Sequence, residues 1–122
     1  MIGKGIARAV YGTFGALALG LGALVLIRPA LALPPDAFSP LTAHLIREQG
    51  AEGVFIGLMA LWCAFHLEQR RPVHLALLVF TATFAAIHWA EYVQARRHLA
   101  SPVLNSIPFV AFALITPSRR GT

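Results

Sequence analysis

At 122 residues the chain has room for a single domain. Hydrophobic residues make up 57% of it and charged residues 12%, about half the charge of an ordinary soluble domain, which points to membrane residence. The net charge of +5 does not argue for a nucleic-acid partner, because the basic residues stand singly or in pairs beside apolar runs, as membrane flanks do.

Four stretches lack Asp, Glu, Lys and Arg: residues 9–27, 53–67, 72–90 and 98–118. A bilayer core needs about 20 helical residues at roughly 1.5 Å each. Three stretches come close to that length, and the second falls short. The sequence predicts an all-α fold, an antiparallel four-helix transmembrane bundle occupying residues 1–122 as one integral membrane domain.

Helix 1 is predicted over residues 6–27, stopping before Arg28 and Pro29, since proline restrains the residue before it and cannot continue the backbone ladder. Lys4, Arg8, the apolar run and Ala30-Leu31-Ala32 imitate a signal peptide. At 19 residues the run exceeds a cleavable core of about 7–15, so it reads as a retained helix. The linker 29–40 is too rich in proline to be helical.

Helix 2 is predicted over residues 41–66, with Thr42 as a candidate cap. To cross a bilayer it must recruit the polar segment 44–52, which carries Glu48 and Glu52 toward the headgroup level. A polar turn at 68–72 leads into helix 3, predicted over residues 73–97. Helix 4 follows over 102–116, opened by Ser101 as N-cap and Pro102, and kinked at Pro108.

Loop charges set orientation. With the N-terminus cytoplasmic, that side carries Lys4, Arg8, Arg70, Arg71, Arg119 and Arg120, against Arg28, Arg47, Arg96 and Arg97 outside. The balance favours an inner-membrane protein with both termini inside. Small residues at four-residue spacing, Gly12/Ala16/Gly20 and Gly53/Gly57, permit close helix contact, within the chain or in a homo-oligomer. Tyr11 and Trp62 at one interface, with Trp89 and Tyr92 at the other, suit an aromatic belt.

The polar residues are distributed unevenly. His44, Glu48 and Glu52 recur every four residues on one face of helix 2, with Arg47 beside them, and His88 and Glu91 share a face of helix 3. An antiparallel bundle brings these to the outer side, where Asn105 and Ser106 of helix 4 also arrive. The opposite end is expected to have nothing comparable inside its apolar runs, and His66, His74 and His98, at helix ends, read as interfacial. Cys63, alone in the chain, allows no disulfide and reads as a small packing residue.

Such a cluster admits several uses. Its arginine and amide groups suit the polar head of a lipid, quinone or similar amphipathic molecule. Glu52 and His88 suit acid/base or proton-exchange work, and His44, Glu48, His88 and Glu91 are the set for a metal if one is present. Equally, Arg47, Arg96 and Arg97 can pair with Glu48, Glu52 and Glu91 as a structural ion-pair network. No Gly-rich phosphate loop, HExxH, GxSxG or haem-attachment motif occurs, and the sequence does not name a cofactor.

The run 47–58 (REQGAEGVFIGL) is an acidic, glycine-bearing second helix. It follows a glycine-rich first helix and a proline linker, and precedes a basic turn and a last helix with Pro102, Asn105 and Pro108. This order is similar to the DoxX-like group of small four-helix bacterial membrane proteins. The resemblance implies an accessory or quinone-binding role within a larger membrane complex, and carries over no individual functional residue.

Overall fold

The computed structural model describes residues 3–95 and 98–118. Among these residues the chain forms four α-helices and no strand: α1 (Lys4–Ile27), α2 (Pro40–Phe65), α3 (Arg71–Ala95) and α4 (Ala100–Leu114). The predicted boundaries lie within a few residues of these, though the predicted end of helix 3 at residues 96 and 97 falls outside the described residues.

Local chemistry explains where each helix begins and ends. α1 stops at Arg28, whose N–H donates to the Leu24 carbonyl at 2.8 Å and whose neighbour Pro29 cannot extend the ladder. The linker is not wholly irregular, since Pro29–Ala32 and Pro35–Ala37 form single 3-10 turns. The cap of α2 is Ser39. Its hydroxyl accepts from the Thr42 N–H at 3.1 Å while its own N–H donates to the Thr42 hydroxyl at 2.8 Å, closing a capping box with Pro40 at the first helical position. Ser101, expected as the cap of α4, lies inside its first turn, with Leu99 in the capping position. Pro108 sits within α4, which continues past it to Leu114.

α1 and α2 share the largest contact in the molecule, and glycine makes it possible. Gly15 lies against Gly57 and Leu61, and Gly22 against Gly50 and Val54, so positions ascend along α1 as they descend along α2. A Cβ at Gly57 would stand 2.5 Å from the Leu19 backbone nitrogen, and one at Gly22 would stand 2.7 Å from the Gly50 carbonyl oxygen. Gly12 and Gly20 of the expected stripe meet nothing within 4 Å. The contact instead uses Gly15 and Gly22, two helical turns apart, which return to the same face as surely as a four-residue spacing does.

α3 and α4 form the second close pair, while α2 meets α3 along a short seam and α1 meets α4 at one end only. The buried core gathers at that end, where Ala7 and Tyr11 of α1 meet Cys63 and Ala64 of α2, Leu77 of α3, and Phe112 and Ile115 at the close of α4. Phe112 stacks edge-on against Phe14 and tilts over the Tyr11 ring. Tyr11 is therefore wholly buried and not a member of an interfacial belt.

α1 and α3 are long and apolar enough to cross a membrane; α4, at 15 residues, is shorter, and α2 carries Arg47, Glu48 and Glu52 in its first half. Both long helices leave most of their apolar surface uncovered, with Leu21 at 60% and Val79 at 65% exposure. A core helix of a soluble protein would bury that surface.

Candidate functional site

The residues singled out by the sequence lie at the end of the molecule away from the core. His44, Glu48 and Glu52 do follow one another up an α2 face, and the His44 imidazole meets the Glu48 carboxylate at 3.1 Å in an exposed pair. Arg47, Glu52 and Glu91 are exposed. His88 is half-buried and bonds through Nδ1 to the Ser101 hydroxyl at 3.2 Å. Asn105 donates to the Ser101 carbonyl, and Ser106 accepts from the Trp89 indole at 2.8 Å while donating to the Pro102 carbonyl.

These bonds stay within α2 or within the α3–α4 pair. Among the described residues, none joins the α2 members to His88, Glu91 or Asn105, and no three His, Cys, Asp or Glu side chains are grouped to hold a metal. The set His44, Glu48, His88 and Glu91 is thus not assembled around one point. Arg96 and Arg97, expected as partners for the glutamates, lie outside the described residues.

The opposite end, expected to be unremarkable, holds the buried polar chemistry. His74 sits in the first turns of α3, wholly buried rather than interfacial. Its Nδ1 lies 2.6 Å from the Tyr11 hydroxyl of α1, and its Nε2 lies 3.0 Å from the Thr116 hydroxyl beyond α4. Thr116 in turn donates to the Phe112 carbonyl at 3.2 Å. Because that hydroxyl hydrogen is committed to a carbonyl, Thr116 can only accept from His74, so the proton of the neutral ring resides on Nε2. Nδ1 is then the acceptor for the Tyr11 hydroxyl. On that tautomer the hydrogen bonds run in one direction, from Tyr11 through His74 and Thr116 to a backbone carbonyl. The series ends on backbone instead of in an opening, which makes it a tie among α1, α3 and α4.

Basic side chains surround this tie. The Arg70 guanidinium stacks over the Tyr11 ring, 5.9 Å from its centroid, and donates to the Leu67 carbonyl, while its buried Nε has no hydrogen-bond partner. Arg8 donates to the Ala64 carbonyl at 3.1 Å, so both arginines satisfy carbonyls left free where α2 ends. Lys4 pairs with Glu68 on the surface and holds the Glu68 carboxyl below its ordinary range.

Between α2 and α3 the thin seam leaves a partly open cleft of about 290 Å³. It is lined by Phe55, Ile56 and Met59 from α2 and Pro72, Val73, Ala76 and Leu77 from α3. The lining is apolar throughout. This cleft lies toward the Arg70 turn, not beside His44 or Asn105. Comparison with protein-family models, curated proteins and solved structures finds no match.

The sequence offered one unused signal for the buried tie. Tyr11, His74 and Thr116 are polar residues near the same end of three different helices, within or at the edge of apolar runs.

Proposed function

We propose that the chain is a small polytopic membrane protein that binds a small amphipathic molecule, as a binding or accessory subunit. In this reading it is an antiparallel four-helix bundle of a bacterial inner membrane with both termini on the cytoplasmic side. The observation that carries the binding role is the apolar cleft between α2 and α3, left open where two tightly packed helix pairs meet along a short seam. Exposed apolar surface on all four helices supports residence in lipid. Lys4, Arg8, Arg70 and Arg71 collect at the core end, which supports a cytoplasmic assignment for that end. The similarity to the DoxX-like group points the same way, toward a lipid or a quinone.

Native mass spectrometry of the full chain, extracted under mild conditions, tests the reading. One stoichiometric lipid or quinone retained by the protein is the expected result. Repeated preparations without any bound amphiphile would overturn it.

A further inference from the structure

The cleft carries more chemistry than its apolar lining alone indicates, because a basic residue, Arg71, directly precedes its wall residue Pro72. Resting on the binding role just proposed, we infer that the cleft takes one acyl chain of an anionic phospholipid, whose headgroup is held at Arg71. Arg71 is the first residue of α3, half-buried, and directly precedes Pro72 of the cleft wall. Among the described residues the carboxylate pairs are Lys4–Glu68 and His44–Glu48, and neither involves Arg71.

The positive end of the α3 dipole coincides with Arg71, which adds to its attraction for an anion. Arg70 cannot serve equally, since its guanidinium is committed to the Tyr11 ring and the Leu67 carbonyl. At about 290 Å³ the cleft lies at the lower edge of the ~300–1,000 Å³ that whole small-molecule ligands occupy. It therefore fits one hydrocarbon chain, with the rest of the lipid in the bilayer. Exposed Phe55 and Ala76 mark the side from which a chain enters. An uncharged quinone could accept hydrogen bonds at the basic end but would gain no charge pairing there, and a purely apolar molecule would have no reason to orient there.

The test uses the full chain in nanodiscs containing equal phosphatidylglycerol and phosphatidylcholine, with retained lipid read by native mass spectrometry. Wild type is expected to retain phosphatidylglycerol about fivefold over phosphatidylcholine, the preference one interfacial arginine supplies. Arg71→Gln should abolish that preference while a lipid is still retained, and Arg71→Lys should keep it. Ala76→Trp, at an exposed position facing the cleft, should remove the retained lipid without unfolding the protein. Ala86→Trp, exposed on the same helix away from the cleft, should behave as wild type.

Equal retention of the two lipids by wild type, or an undiminished preference in Arg71→Gln, would overturn the anionic headgroup assignment. Undiminished retention by Ala76→Trp would overturn the cleft as the site while leaving a binding protein in place. Wild type that retains no amphiphile would remove the underlying binding role itself.

Discussion

The Tyr11 hydroxyl lies 2.6 Å from Nδ1 of His74, joining residues 63 positions apart and fixing the first helix to the third. The bond is buried, and its acceptor ring is satisfied on the other side by Thr116. Few other polar contacts span the two helix pairs, so this one sets how they meet at the core end.

Tyr11→Phe keeps the ring stacked on Phe112 but leaves Nδ1 of His74 without a donor. Orphaning a buried polar atom costs about 1–3 kcal/mol, and a lowered detergent melting temperature is the expected reading. Thr116→Val should orphan Nε2 in the same way. Combining Tyr11→Phe with His74→Leu should cost less than the two changes summed, because no polar atom is then stranded. Strict additivity would show that the hydrogen bond contributes nothing beyond shape.

Glycines of α1 and α2 should divide into two groups. Gly57→Ala on α2, or Gly22→Ala on α1, drives a methyl group into the partner backbone, and overpacking of this kind costs about 1–3 kcal/mol or more. Gly20→Ala meets open space and should stabilise by up to ~1 kcal/mol through helix propensity. Thermal melts of the three variants, compared side by side, check the ordering. A destabilising Gly20→Ala would point to a partner on the outer face of α1.

The Lys4–Glu68 pair should give a modest acid sensitivity. Lys4 lowers the Glu68 carboxyl from its ordinary value of 4.5, so the ionised form is favoured in the folded chain. The resulting stabilisation is complete above that ordinary value and is withdrawn as pH falls through the lowered folded value. Wild type should melt above Glu68→Gln by a constant margin between about pH 5 and pH 7, converging with it in stronger acid. The margin should also shrink with added salt, since both partners are exposed. A margin that widens in acid would exclude the pair as its source.

Orientation is open to direct measurement. Single cysteines placed at Asp36 and Gln69 should label from opposite sides of the membrane, Asp36→Cys from outside and Gln69→Cys from inside. Cys63 is wholly buried and should stay silent in such an assay. Labelling of Gln69→Cys by an impermeant reagent on intact cells would reverse the proposed topology.

The elements were legible in the sequence because prolines and charges punctuate it. Arg28-Pro29, Ser39-Pro40 and the basic turn before Pro72 each carry a local physical reason for a helix to stop or start. The interhelical register was not legible. α1 presents small residues at Gly12, Ala16 and Gly20 as well as at Gly15 and Gly22, and only the partner helix selects between these faces.

The same limit applies to the polar residues. Spacing places His44 and Glu48 on one α2 face, and they do pair, but whether that face meets α3 depends on how the two helix pairs close. His74 went unrecognised because its neighbours Arg71 and Pro72 gave it the aspect of a flanking residue. Its burial depends on Tyr11 and Thr116, remote in sequence and each inconspicuous alone.

The glycine-to-glycine contact also has a temporal meaning. It joins two consecutive helices, so the α1–α2 hairpin holds all its mutual contacts once residue 65 has been synthesised. Contacts between near neighbours in sequence form early and quickly. The hairpin can therefore assemble while α3 is still inside the ribosome, and the second hairpin docks onto a finished surface. In that order of assembly the Tyr11 hydroxyl stands at the edge of the finished surface, and its bond to His74 would be what joins the two halves.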